Sequence, residues 1–218
     1  MNSVSFADIA IISCGTLSLE LNFLKKEGFL DTDYLYFTPP GLHEDIHQLE
    51  RQLLKQIKLA QKIVDKVIVV YGGKFCYVNV DEPARTMQTI IDEQGPEVAR
   101  IQATHCMDML ASEAERRKIA EEIAGGEKVW WMIPGWVKFR HHVFKDWDQG
   151  MANENFPRHT GGAIVLDGIG YVETYMAEKP EKFIEYSDWM GIPIQPYPIS
   201  LDRFKSLLLE AARQWPRN

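Results

Sequence analysis

Five short apolar runs, each followed by a stretch whose apolar residues have helical spacing, constrain this chain more than any other feature. The strongest run is Lys66–Tyr71, which is rich in β-branched residues and is followed by a glycine pair. The other four are Asp8–Ser13, Tyr34–Phe37, Val98–Ala103 and Lys128–Ile133. Parallel neighbouring strands need a long crossover connection, which a helix supplies. The alternation therefore predicts an α/β fold with a doubly wound, mainly parallel open sheet of five to six strands and helices on both faces.

The second half of the chain has a weaker pattern of the same kind. Ala163–Leu166 predicts a sixth strand, and Ile192–Pro198, with three prolines, predicts an extended connection or an edge strand. Ser200–Trp215 has the apolar spacing of a C-terminal amphipathic helix. The polar segment Asn153–Gly162 is typical of a loop over a site rather than of a domain boundary. We therefore expect residues 1–218 to form a single α/β domain.

Charge and hydropathy exclude several classes of protein. With 24 Lys and Arg against 31 Asp and Glu, the net charge is -7, which disfavours binding to a nucleic acid backbone. No apolar run approaches the roughly 20 residues that span a bilayer, so we expect no membrane insertion. Residues 1–7 lack the basic segment and long apolar core of a secretory signal, and we expect a cytoplasmic location.

All three cysteines of the chain lie beyond the carboxyl ends of predicted strands. Cys14 follows the first, Cys76 the third and Cys106 the fourth, while His43 follows the second and His105 precedes Cys106. Ligands of open parallel sheets bind at the carboxyl ends of the strands. Because thiolates and imidazoles suit zinc or an iron–sulfur cluster, these five residues predict a metal site at that edge. No Cys-x-x-Cys pair is present, so a catalytic thiolate without metal and three buried structural cysteines stay open as alternatives.

The segment His43–His47 has the sequence His-Glu-x-x-His, which on a continuous helix forms the zinc site of a protease. Here the motif lies at a predicted helix start, just after two prolines and a glycine, where a solvated first turn is the alternative interpretation. We expect His43, which lies nearer the strand end, to face the site. We expect His47 to flank the apolar stripe of the following helix.

Two further features bear on ligand binding. The glycine pair after Tyr71 lacks the spacing of a phosphate-binding loop, so nucleotide binding is weakly supported. Trp136 lies beyond the end of a predicted strand, where an indole can form a pocket wall. Arg140 and Arg158 are candidates for contact with an anionic ligand, although the sequence does not fix their direction.

Several short motifs follow one another in a characteristic order: Ile12–Leu17, Pro40–His43, Tyr71-Gly72 before a cysteine, His105–Ser112 and Pro134–Trp136. In this order they resemble the DUF1638 family of anaerobic bacteria and methanogenic archaea, over about residues 5–215. The resemblance implies functional positions that include Gly15, Gly72, Gly135 and Trp136, which we take as candidate ligand-binding residues. This sequence departs from the family's pattern at two points. The family's middle cysteine lies about two residues nearer the Tyr-Gly pair than Cys76 does, and the family has an aspartate between its histidine and cysteine. Cys76 is therefore the least secure member of the metal set.

Members of this family are often encoded beside corrinoid-dependent methyltransferase systems, which implies a role in one-carbon or corrinoid metabolism. The leading hypothesis is thus a cytoplasmic metal-binding protein, with zinc or an iron–sulfur cluster, that acts in corrinoid-dependent methyl transfer. One alternative is a non-catalytic accessory protein that binds a corrinoid protein or a small molecule. A second alternative is a zinc hydrolase that uses His43 and His47. A homo-oligomer is compatible with each of them.

Overall fold

The structure, a computed structural model, describes residues 4–215. The chain forms two compact units, the first comprising Met1–Met109 and Asp202–Asn218 and the second Leu110–Leu201. Each unit contains one parallel sheet flanked by helices, which confirms the predicted α/β class. The strands are divided between a sheet of four and a sheet of three, where the sequence led us to expect one sheet of five to six. An apolar run specifies a strand but not its partner, and the partner of the fifth strand is the sixth rather than the fourth.

In chain order the strands are β1 (Ile9–Cys14), β2 (Leu35–Thr38), β3 (Lys66–Val70), β4 (Val98–Arg100), β5 (Trp130–Met132), β6 (Ala163–Asp167) and β7 (Ile194–Pro198). The helices are α1 (Ser18–Lys26), α2 (Ile46–Ala60), α3 (Met87–Asp92), α4 (Cys106–Leu110), α5 (Glu113–Ala124), α6 (Pro134–Lys138), α7 (Arg140–Val143), α8 (Gln149–Asn155), α9 (Tyr171–Glu178), α10 (Pro180–Met190) and α11 (Asp202–Ala212). Single turns of 3-10 helix span Gly15–Leu17, Leu42–Glu44 and Phe156–Arg158. No helix among residues 4–215 combines the length and apolar character that crossing a bilayer requires.

The sheet of the first unit has the strand order β2-β1-β3-β4, with all neighbours parallel. Because the chain moves from β1 to β2 on one side and then to β3 on the other, the strand order reverses between β1 and β3. Crevices at such a reversal, outside the carboxyl ends of the strands, are the usual ligand sites of open α/β sheets. Cys14 ends β1, and Cys76 lies in the loop after β3, so these two cysteines flank the reversal.

Helix α2 covers one face of this sheet. Its Leu49, Leu53 and Ile57 recur at a spacing of four residues and are fully buried, in one cluster with alternate residues of β1 and β3. Helix α3 begins at Met87, where Thr86 forms a capping box with Thr89. The interval between β3 and α3 is therefore a long loop that follows the strand end.

The sheet of the second unit has β6 at its centre, buried along its whole length, and β7 at its edge. The edge position of β7 explains how the strand accommodates Pro196 and Pro198, as the sequence predicts. Asp167, at the end of β6, accepts the backbone N–H groups of Ile169, Tyr171 and Val172, and so fixes the start of α9.

Candidate functional site

The thiol of Cys14 is surrounded by hydroxyl groups at the end of β1. Thr16 Oγ1 donates a hydrogen bond to Cys14 Sγ over 3.2 Å, and Cys14 pairs in register with Thr38 of β2. The buried Tyr71, which follows β3, hydrogen bonds to the Thr38 hydroxyl and lies within hydrogen-bonding reach of Cys14. Burial raises the pKa of Tyr71 well above its ordinary value, and the nearby Cys14 thiol raises it further. Tyr71 is therefore a neutral donor at this edge.

Cys76 lies close to Cys14 and to the backbone of Cys106. Its sulfur lies close to the backbone N–H groups of Gly72 and Cys106 and near the thiol of Cys14. Burial raises the pKa of Cys76 to about 12, and Cys14 contributes to the increase, while the two N–H groups and Arg100 oppose it. The thiol is therefore protonated at neutral pH, which argues against Cys76 as a free nucleophile. Cys76 appeared the least secure member of the set from the sequence, yet it occupies the central position.

Two of the predicted ligand-binding glycines allow strand-end loops to approach closely. A Cβ atom on Gly72 would lie 2.4 Å from Thr104 O and 2.5 Å from His105 Cα. A Cβ atom on Gly15 would lie 2.8 Å from Thr38 O. Because backbone atoms cannot yield to a side chain at these distances, both positions require glycine for packing. Direct contact between these glycines and a ligand stays a prediction.

Arg100, at the end of β4, is a buried cation that the sequence reasoning missed. Its Nη1 donates to the carbonyl oxygens of Tyr71, Ile101 and Ala103, and its Nε donates to Gln88 Oε1 over 3.0 Å. Within the described part of the chain, Arg100 forms no ion pair with a carboxylate. Burial lowers the pKa of this guanidinium, and the neighbouring Cys76 acts in the opposite direction. A charged residue inside the predicted strand run Val98–Ala103 was the sequence signal for this group.

The remaining predicted donors have local partners in the first unit. His105 Nδ1 accepts the backbone N–H of Asp108 over 3.1 Å, and its ring lies 5.6 Å from that of Phe75. The Cys106 thiol donates to Met107 Sδ over 3.2 Å. His43 is half-buried, and burial lowers its pKa, so its imidazole is neutral near pH 7.

The His-Glu-x-x-His segment does not form the helix that a zinc protease requires. His43 and Glu44 belong to a 3-10 turn that ends before α2, and His47 lies exposed in the first turn of α2. Asp45 separates the two elements with a non-helical backbone (φ -124°, ψ 84°), and its side chain caps α2 by accepting the N–H of Gln48. The two imidazoles are therefore not one turn apart on a continuous helix, which removes the geometric basis of the hydrolase hypothesis.

The last two candidates, Gly135 and Trp136, belong to α6 of the second unit. The Trp136 ring is half-buried and lies 5.6 Å from the Phe144 ring and 6.2 Å from the Trp130 ring. Across residues 4–215, no group of three or more His, Cys, Asp and Glu side chains is arranged to hold a metal ion. A metal at the three cysteines would therefore require their side chains to turn.

The fold and the site define a class: a parallel α/β protein with a cysteine-rich edge where the strand order reverses. The profile of the family described as protein of unknown function (DUF1638) matches residues 37–208, and the chain belongs to this family. His43, Cys76, His105, Cys106, Gly135 and Trp136 lie inside the matched range, while Cys14 and Gly15 precede it. No curated protein and no solved structure matches the chain.

Proposed function

We propose that Cys14, Cys76 and Cys106 bind a thiophilic metal centre, zinc or an iron–sulfur cluster, and that the protein acts in methyl transfer in one-carbon or corrinoid-dependent metabolism. The observation that supports the metal centre is the position of Cys76. Its sulfur lies close to the backbone N–H of Cys106 and near the thiol of Cys14, so the three strand-end segments that carry the cysteines approach one another at this edge.

The charge of the surroundings fits such a centre. A divalent ion bound by three thiolates has one net negative charge, which is costly to bury unless a cation lies nearby. Arg100 is a buried cation with carbonyl and amide partners, and it is electrostatically coupled to Cys76. Its positive charge would balance the centre without a new ion pair.

Binding requires local rearrangement. Cys14 would leave its hydrogen bond with Thr16, Cys106 would leave Met107, and each thiol would lose its proton. A bound zinc ion would hold a thiol as the thiolate at neutral pH. The thiolate is the nucleophilic form for methyl transfer. The chain supplies the rest: Arg100 balances charge, and Tyr71 donates toward Cys14. The corrinoid connection is supported by the family resemblance alone.

Elemental analysis tests the metal centre. Untagged protein purified without oxygen or chelators should contain zinc or iron, and Cys14→Ser, Cys76→Ser and Cys106→Ser should each lower the content with folding retained. The control is His47→Ala, which removes an exposed imidazole from a neighbouring element and should leave the content unchanged. Metal-free wild-type protein, or equal loss in the control, would contradict the proposal.

The methyl-transfer role has a separate test. Metal-loaded protein is mixed with methylcobalamin and a small thiol, and the corrinoid absorbance is followed. Transfer of the methyl group to the thiolate sulfur breaks the cobalt–carbon bond, leaves its electron pair on cobalt and converts Co(III) to Co(I). Loss of the methylcobalamin spectrum that depends on Cys76 supports the role. Binding of the corrinoid without demethylation supports the accessory alternative instead.

A further inference from the structure

An open cavity of about 670 Å³ lies beyond the carboxyl ends of β3 and β4 in the first unit. The loop after β3, the first turn of α3 and the segment between β4 and α4 line it. None of the three cysteines lines this cavity, so it is a separate space from the proposed metal centre. A cavity of this size at the strand ends is typical of small-molecule sites in open α/β sheets.

Arg100 lines the cavity and has a donor group that its protein partners do not saturate. The residue is 7% exposed, and its Nη1 and Nε atoms have acceptors at 2.7–3.2 Å. Nη2 carries two protons but makes one contact, to Gln102 Oε1 over 3.4 Å, which is longer than an ordinary hydrogen bond. A Cβ atom on Gly73 would lie 3.0 Å from Nη2. Because Gln102 and Gly73 both line the cavity, Nη2 lies at its wall.

The charge of Arg100 has no direct counter-ion in the protein. Buried guanidinium groups are usually paired with a carboxylate, because an uncompensated buried charge is costly. Among residues 4–215, the carboxylate coupled to Arg100 is that of Asp92, and it acts through Gln88. Gln88 Oε1 accepts from Arg100 Nε, while Gln88 Nε2 donates to Asp92 over 2.8 Å. The guanidinium can therefore still form an ion pair with an anion.

The other charged side chains around the cavity leave a positive balance. Lys74 is exposed on the lining and forms no ion pair within the described part of the chain. Arg85 is already paired with two glutamates, and the Asp108 carboxylate lies 3.0 Å from Arg203. Two cations, Lys74 and Arg100, are thus available to a ligand, in a chain whose net charge is -7.

We propose that this cavity binds a small organic anion, whose carboxylate or phosphate oxygens accept hydrogen bonds from Arg100 Nη2 and Lys74 Nζ. Guanidinium groups match the geometry of both oxyanions, and such charge-assisted bonds are stronger than neutral ones. The side chains of Val78, Pro83 and Ala103 line the same cavity and would contact the carbon part of the ligand. The proposal does not rest on the metal centre, since it needs no thiolate.

Four probes with the same carbon chain test the proposal in ligand-observed NMR titrations of the full chain at constant ionic strength: butyrate, butyl phosphate, butyramide and butylammonium. Butyrate or butyl phosphate should bind about tenfold more tightly than butyramide, because a charge-assisted hydrogen bond to a partly buried guanidinium is worth about one decade of affinity. The tighter of the two anions identifies the oxyanion as a carboxylate or a phosphate. Butylammonium should bind most weakly.

Two variants locate the site. Arg100→Gln should abolish the preference for anions, with folding checked by circular dichroism because this change also removes donors from three carbonyls. Lys74→Gln alters an exposed side chain and should weaken anion binding about threefold while leaving butyramide unchanged. The matched control is Lys62→Gln, which removes the same charge from an exposed position of the first unit outside the cavity. Equal binding of butyramide and both anions, or equal weakening by the two lysine variants, would overturn the proposal.

Discussion

The close approach of two strand-end loops at Gly72 yields a sharp prediction about stability. In Gly72→Ala the new methyl group would lie 2.4 Å from Thr104 O and 2.5 Å from His105 Cα, both of them backbone atoms. Overpacking of this kind costs about 3 kcal/mol at the upper end, and the lower chain entropy of alanine in the unfolded state returns up to about 1 kcal/mol. The net loss should be about 2 kcal/mol.

Urea denaturation followed by circular dichroism measures this loss. With a denaturant slope of about 2 kcal/mol per molar, the midpoint of Gly72→Ala should fall by about 1 M. Gly73→Ala is the matched control, because its methyl group would lie 3.0 Å from Arg100 Nη2 and would need that side chain to move by only a few tenths of an ångström. Its loss should stay below about 1 kcal/mol. Equal midpoints for the two variants would refute the backbone packing at Gly72.

Three further predictions concern hydrogen-bonded polar groups. Arg85 lowers the pKa of Glu50 by hydrogen bonding, so the charged carboxylate stabilises the folded protein. This stabilisation is complete above the unfolded pKa of about 4.3 and is lost as the pH falls through the folded pKa. Glu50→Gln should therefore cost about 1–2 kcal/mol at pH 7 and progressively less as the pH falls below about 4 in urea titrations, and a pH-independent cost would refute this coupling. Asp167→Ala should cost about 2–3 kcal/mol, because three backbone N–H groups lose their acceptor, and an unchanged melting temperature would contradict that role. Tyr71→Phe should cost about 1–2 kcal/mol, and less in a Thr38→Val background, whereas additive losses would show that the two hydroxyls are not coupled.

The strands were predictable because their signal is local. Lys66–Tyr71 and Ala163–Leu166 differ from β3 and β6 by a single residue at one end, since β-branched runs between turn residues specify strands directly. The division into two sheets was not predictable, because nothing in the run Lys128–Ile133 names its partner. Helices α9 and α10 were missed as well, although Pro180 and Gly191 mark the start and end of α10.

The candidate site was predictable in its location but not in its contacts. The positions of Cys14, Cys76 and Cys106 after successive strands follow from the alternation of strands and helices. Their connection through the backbone N–H of Cys106 depends on how the loop after β3 folds, which no spacing rule gives. Arg100 was overlooked because a charge in an apolar run has no fixed interpretation before its partners are known.

The central claim is that three thiols at the strand ends bind one metal ion, and titration of the reduced protein with Co²⁺ tests it most directly. Cobalt substitutes for zinc, and its thiolate charge-transfer absorption increases with the number of bound thiolates. We predict saturation at one equivalent with the intensity of three thiolates, lowered by about one third in Cys76→Ser, because this variant removes one of three equivalent donors. Absence of charge-transfer absorption, or an intensity that Cys76→Ser leaves unchanged, would contradict the claim.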